Sequence, residues 1–352
     1  MRRRPIGYYV HHQGAGHRTR AEAILRAIDW PLVLLGTGIG DRGLDLPDDR
    51  PGSGRFDGLD DAPCRPDTLH YAPLDHGGIR ERVARIASWI AAEEPAIMVV
   101  DVSVEVAMLA RLASVPTICV RLNGKRDDAP HLEAFRGAIG LMAPFHPTLE
   151  MADTPAWIRD KTVYFPGIAA SAATSACLRV RRATRRILVV IGRGGLPGDG
   201  KLLAQAAMAC PDWEWRVIGP VAPATEQPAN LKLAGWVETA EQEIADASIV
   251  VGAAGDGLVG AVIAADKPFI CIPEGRPYDE QRVTAQGLSR LGAALVLPQW
   301  PRADQWAAIL EQVGTLEPAA RTALGDPHGT QMAAQWLARC AADATLQRET
   351  IA

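Results

Sequence analysis

Short apolar runs alternate with amphipathic stretches along the whole 352-residue chain. In the first half, apolar runs at 6–10, 32–35, 97–101, 117–120, 139–143 and 162–165 have the length of buried strands. Stretches with helical apolar spacing fall between them at 18–28, 78–93, 105–113 and 131–137. Strands that alternate with helices predict a doubly wound sheet of parallel strands. The stretch 37–66 interrupts the rhythm. It is rich in Gly, Pro and Asp and lacks periodicity, so it reads as a long loop, either a flap over a substrate or an insertion.

A second cycle starts at the apolar run 187–191. Before it, the chain from Gly167 to Arg185 turns to Ala and Ser and then to Arg, and reads as a linker. After it come helical stretches at 201–209 and 239–245, a strand at 248–251, a small-residue helix ending at Ala265 and a Pro-bounded strand at 268–273. A helical run at 330–342, with apolar Met332, Trp336 and Leu337, closes the pattern. The predicted organisation is a first domain at 1–166, a linker at 167–185 and a second domain at 186–327. A final segment, 328–352, carries the C-terminal helix.

The first strand leads into Val10-His11-His12-Gln13-Gly14-Ala15-Gly16-His17-Arg18-Thr19-Arg20-Ala21. Gly14 and Gly16 therefore sit on a strand-to-helix turn, at the strand end where open α/β sheets bind ligands. His17 opens the helix at that crevice, where an imidazole can take a proton near neutral pH. The alternative is a histidine that only orders the loop. His11 and His12 point to opposite faces if the strand continues. No carboxylate or thiolate lies at ligand spacing, and no metal site is expected. Asp101 ends a strand and either caps the next helix or faces the crevice. Asn123, Arg126 and His131 belong to a polar loop after the following strand, and either line a ligand pocket or form a solvated cluster. In the second half, strands end in glycines twice more, at Gly192-Arg193-Gly194-Gly195 and at Gly252-Ala253-Ala254-Gly255-Asp256-Gly257.

The order Gly14, Gly16, His17, Arg20, Ala21 resembles the first loop of GT-B glycosyltransferases, and of family 28 in particular. Leu233-Ala234-Gly235-Trp236-Val237, the 252–257 loop, Pro268 to Pro273, and Tyr278-Asp279-Glu280-Gln281 followed by Ala285 resemble the donor-binding half of the same enzymes. The resemblance implies an α/β fold of two facing Rossmann-like domains, each a doubly wound parallel sheet, with a cleft between them and the C-terminal helix of 328–352 packing back on the first domain. It implies transfer of a sugar from a nucleoside-diphosphate sugar, with UDP the expected nucleotide, to a hydroxyl acceptor by an inverting route, with His17 as general base. Gly192, Arg193, Gly194, Gly195, Ala254, Gly255, Asp256 and Gly257 would hold the donor diphosphate, because free backbone N–H groups at a helix start favour anions. Trp236, Val237, Glu280 and Gln281 would meet the base and sugar. Gly14, Gly16, Asp101, Asn123, Arg126 and His131 would form the acceptor side.

Three positions depart from the family pattern. Ala253 stands where relatives carry His or Ser, Ala261 where many carry a ribose-binding Glu, and Thr284 where Asn is common. Two further readings therefore stay open: a nucleotide-sugar hydrolase or epimerase on the same fold, and a non-catalytic nucleotide-sugar binder. There is no Asp-x-Asp in the sequence, so the expected transferase is metal-independent and needs no cofactor.

Composition narrows the class only slightly. A formal net charge of −4 gives a nucleic-acid partner no electrostatic support. The six cysteines (64, 119, 177, 210, 271 and 340) are scattered, as in a reducing compartment. No run approaches a membrane span, and the expected location is cytoplasmic. Arg2, Arg3 and Arg4 read as a solvated terminus, with peripheral membrane contact as the alternative.

Overall fold

The computed structural model describes residues 3–12, 15–50, 64–168, 185–192, 194–223 and 226–351. They form two compact units. Unit 1 takes Met1–Pro144, Ala152–Ile168 and Thr330–Ala352, and unit 2 takes Phe145–Met151 and Ala169–Gly329.

Unit 1 is built on seven parallel strands: β1 (Ile6–Val10), β2 (Leu32–Gly36), β3 (Gly43–Asp45), β4 (Ile97–Asp101), β5 (Thr117–Val120), β6 (Gly140–Ala143) and β7 (Thr162–Tyr164). Their order across the sheet is β3-β2-β1-β4-β5-β6-β7. Both faces are covered, which is why the strands read as continuous apolar runs. Alternate residues go to opposite faces. Ile6, Tyr8, Val10, Ile97 and Val99 pack on one side, and Tyr9, Met98 and Val100 on the other. The first face carries Ile24 of helix α1 (Ala15–Ala27) together with Ala333, Leu337 and Ala341 of the last helix, Gly329–Ile351. The second carries α2 (Gly77–Glu93), α3 (Val104–Leu112) and α4 (Ala129–Gly137), through Ile86, Ala107 and Phe135 among others. Gly7 is needed for this packing, since a Cβ there would lie 2.5 Å from the Met98 sulfur and 2.8 Å from the Trp89 ring.

Unit 2 repeats the plan. β8 (Arg186–Val190), β10 (Glu214–Ile218), β12 (Leu231–Gly235), β13 (Ile249–Gly252), β14 (Phe269–Cys271) and β15 (Leu295–Val296) run parallel in the order β12-β10-β8-β13-β14-β15. Two short strands, β9 (Gly198–Asp199) and β11 (Val221–Ala222), pair separately. One face is anchored by Trp215 of β10, packed edge-on to Trp306 with ring centroids 4.9 Å apart. Both units are thus Rossmann-like α/β domains.

Three segments differ from the pattern read in the sequence. The long loop at 37–66 contains a 3-10 turn, Gly40–Arg42, and the edge strand β3, whose three residues are too few to show a period; residues 51–63 lie outside the described part. Phe145–Met151, placed by the sequence pattern in the first domain, belongs to unit 2. There Leu149 packs on Gly287, and Arg290 Nη2 donates to the Thr148 carbonyl at 2.6 Å. The final helix runs to Ile351, well past 342. Of the linker, residues 169–184 lie outside the described part. Among the described residues, no helix is long and apolar enough to cross a membrane.

Candidate active site

In each sheet one strand has neighbours that leave in opposite directions along the chain. In unit 1 it is β1, flanked by β2 and β4; in unit 2 it is β8, flanked by β10 and β13. The crevice at the carboxyl end of such a strand is where open α/β sheets bind ligands. In unit 1 that crevice lies between residues 11–12 and 15–17 after β1 and residues 101–103 at the end of β4. In unit 2 it lies between residues 191–192 and 194–197 after β8 and residues 253–256 after β13.

At the unit 1 crevice, His17 and Asp101 meet. Asp101 ends β4 and has no solvent exposure, while His17 sits in the first turn of α1 with 14% of its side chain exposed. His17 Nδ1 lies 2.8 Å from Asp101 Oδ1. Arg20, one helical turn after His17, donates to the same carboxylate from Nε at 3.1 Å and from Nη2 at 3.0 Å, and the buried Tyr8 hydroxyl adds a longer contact at 3.3 Å. A carboxylate only accepts hydrogen bonds, so the imidazole proton sits on Nδ1. Arg20 Nη2 is also 3.1 Å from that nitrogen but has the Asp101 oxygen as its acceptor. Nε2 is left as the nitrogen able to take a proton from a ligand. Burial pushes the Asp101 carboxyl up, but the Arg20 guanidinium and His17 overcome this and hold it well below the usual carboxylate range.

The turn that presents Asp101 is strained. Val102 follows it at φ +75°, an outlier for a β-branched residue. Ser103 then caps α3, accepting from Val106 N at 3.3 Å. Beside His17, His11 stacks on His12 with centroids 4.7 Å apart, and its own centroid is 5.6 Å from that of His17. Burial, then the neighbouring His17 and His12, push His11 well below its ordinary pKa, so it stays neutral. Gly16 lies in the first turn of α1 with open space around it. Gly14 lies outside the described residues.

Asn123, Arg126 and His131 are all buried. Asn123 Oδ1 accepts from Gly124 N at 3.1 Å, and Arg126 Nε donates to the Leu122 carbonyl at 3.2 Å. His131 joins a network the sequence did not reveal: its Nδ1 and His70 Nε2 share the Asp128 carboxylate, the second at 2.7 Å, while Arg126 Nη1 faces His131 Nε2 at 3.0 Å. Arg126 and His131, with Ser103, line a small cavity beside β4 and β5. His70, Asp128 and His131 have the residue types of a metal site. The Arg126 contact argues otherwise. A metal-bound histidine normally donates its second N–H to an acceptor, and here that nitrogen faces a cation. His70 stands 58 positions from Asp128, outside every predicted strand and helix, so no local signal marks it.

In unit 2, Gly192 has open space where a side chain would be, and Arg193 lies outside the described residues. Gly194 and Gly195 are crowded by the loop after β14. A Cβ on Gly194 would lie 2.7 Å from Arg276 Nη2, and one on Gly195 would lie 2.2 Å from Glu274 Oε2. Ala254 is buried, and Gly255 is the N-cap of helix Asp256–Ala264, which places Gly257 in the first turn of a helix start, the end whose dipole favours an anion. The buried Gln281 ties the site together. Its Oε1 accepts from Glu274 N at 2.8 Å, and its Nε2 is 4.0 Å from the Cβ position of Gly255. Glu280 starts helix Glu280–Arg290, after Tyr278 and Asp279 at φ +60° and +52°. Trp236, 49% exposed, and the half-buried Val237 follow Gly235, whose φ is +64°. Glu274 and Arg276 were not legible as site residues, because they become neighbours of Gly194 and Gly195 only through the sheet order.

Residues 221–313 match the Glycosyltransferase family 28 C-terminal domain. The matched stretch lies within unit 2, which is therefore similar to the C-terminal domain of that family. It contains Trp236, the 252–257 loop, Arg276, Glu280 and Gln281. The whole chain is similar in fold to solved GT-B glycosyltransferases. MurG of Acinetobacter baumannii is 15% identical with a TM-score of 0.62, over 95% of this chain and 99% of that one. SnogD of Streptomyces nogalater is 18% identical with a TM-score of 0.61, over 95% and 99%. The spinosyn rhamnosyltransferase SpnG, solved with thymidine diphosphate, is 17% identical with a TM-score of 0.54, over 99% and 100%. No curated protein matches the chain by sequence.

Proposed function

We propose that the protein is a metal-independent, inverting glycosyltransferase that moves a sugar from a pyrimidine nucleoside-diphosphate sugar to a hydroxyl acceptor. The observation that carries this reading is the His17–Asp101 pair at the strand-end crevice of unit 1, in a chain whose other unit is similar to a family 28 C-terminal domain. His17 Nε2 accepts the acceptor's proton as its oxygen attacks the anomeric carbon. The bond from that carbon to the β-phosphate oxygen breaks on the opposite face, and its electron pair leaves with the diphosphate. Asp101 holds the imidazole in the required tautomer and stabilises the imidazolium, as a buried carboxylate does in hydrolytic triads.

In unit 2, the amides of Gly194, Gly195 and the turn starting at Gly255 meet the leaving diphosphate, and Gln281 with Glu280 contacts the sugar. Trp236 and Val237 flank the base. Backbone amides and protein cations do the work that Asp-x-Asp transferases assign to a divalent ion. UDP fits the family resemblance, and the thymidine diphosphate bound by SpnG adds a second pyrimidine candidate.

The test is nucleoside diphosphate release from UDP- and TDP-sugars, with and without a pool of hydroxyl acceptors. Release that depends on acceptor is the expected result. Equal release without acceptor would make the protein a hydrolase, and binding without release would make it a binder.

A further inference from the structure

Arg276 follows β14 in a loop that the motif reading leaves unassigned. Its guanidinium rests on the glycine loop after β8: Nη1 donates to the Gly194 carbonyl, and Nη2 occupies the place a Gly194 side chain would need. The side chain is only 12% exposed. Nε is buried without a hydrogen-bond partner, and Glu280 Oε1 stands 3.8 Å away, beyond hydrogen-bond reach. A guanidinium offers five N–H donors in a planar fork that matches two oxygens of a phosphate. Here a largely desolvated fork lies against the glycine loop after β8, with donor capacity unused on Nε.

We propose that Arg276 is the cation that neutralises the donor diphosphate. This rests on the reading of unit 2 as the donor site. Bound to the diphosphate, the guanidinium stabilises the charge that arrives when the sugar–oxygen bond breaks and its electron pair stays on the β-phosphate oxygen; no proton moves through Arg276. Gly194 has to be glycine on this account, because any side chain would displace the fork from the loop. The competing role is a loop staple, in which Arg276 only joins the Gly194 carbonyl to Glu280.

Calorimetric titration of the full chain with UDP and TDP, and with the matching monophosphates and nucleosides, separates the two roles. Arg276→Gln is expected to weaken diphosphate binding about 10- to 100-fold and nucleoside binding less than about 3-fold, since a charge-assisted pair is lost and base contacts are kept. Arg276→Lys, which keeps the charge without the fork, is expected to fall between. Wild-type diphosphate affinity in both folded variants would overturn the proposal, as would an equal loss for nucleoside and diphosphate. If Arg276→Gln does not fold, the diphosphate-to-nucleoside affinity ratio of Arg276→Lys decides, and an unchanged ratio overturns it. A wild-type protein that binds none of these ligands would remove the donor-site reading itself. Nucleotide binding insensitive to Arg276 would remove this inference alone.

Discussion

Asp101 Oδ1 accepts a hydrogen bond from His17 Nδ1 at 2.8 Å, across 84 positions of sequence. The carboxylate is fully buried and the imidazole is not, so the pair presents one nitrogen outward and keeps its charge compensation inside. Arg20 completes it. Without that guanidinium, a buried carboxylate next to a histidine would protonate more readily and lose its grip on the tautomer.

Replacing Arg20 should therefore cost stability before it costs chemistry. Arg20→Met leaves Asp101 buried without its cation, and breaking such a pair costs about 3–5 kcal/mol. Asp101's depressed pKa means that its stabilisation is present above the unfolded value near 4 and is lost as pH falls through the folded value. Urea unfolding at neutral pH should show the loss in Arg20→Met, and Arg20→Met/Asp101→Asn should lose less than the two single variants combined. A neutral-pH midpoint unchanged by Arg20→Met would contradict the pairing.

His131 predicts an acid-side slope of its own. Burial lowers its pKa to about 4 despite the bond to Asp128. The unfolded chain thus binds a proton near pH 6.5 that the folded chain refuses until about pH 4. Stability should fall as pH drops through that window, by up to roughly 3 kcal/mol. His11, also depressed by burial and its histidine neighbours, adds in the same direction. His131→Asn should flatten part of the slope in urea midpoints measured between pH 7 and pH 4. An identical slope in the variant would rule out His131 as a source.

Gly219 follows β10 beside the loop after β8. Its φ is +99°, and a Cβ there would lie 1.9 Å from the Ile191 carbonyl oxygen. Backbone cannot move aside as a side chain can, so Gly219→Ala should destabilise the protein by more than about 2 kcal/mol. It should also weaken nucleotide binding, because Ile191 leads into Gly192. A thermal midpoint within a degree of wild type would show that the strand end yields easily.

Most of the framework was legible from apolar runs. The runs at 97–101 and 117–120 fall on β4 and β5 because both strands are buried on both faces and carry little else. β10 was harder, since Glu214 and Arg216 interrupt its apolar residues, and Arg216 finds its charge partner in Glu243, 27 positions on. The glycine loops and His17 were visible because strand-to-helix turns have local signals. Asp101 appeared as a helix cap or an acceptor-side candidate. Its link to His17 comes from β1 and β4 being neighbours in the sheet, which no local pattern encodes. The same holds for His70 with Asp128 and for Arg276 with Gly194, each pair brought together by chain crossovers rather than by spacing.

The most direct test of the account is steady-state nucleoside diphosphate release, in the presence of an active acceptor, from the wild type, His17→Ala and Asp101→Asn. A positioned base contributes about 10²–10⁴-fold. His17→Ala is expected to lose that much in kcat while the donor KM stays within a few-fold, and Asp101→Asn to lose kcat in the same direction. His17→Ala turning over at the wild-type rate would contradict the assignment of His17 as the base and, with it, the role given to Asp101.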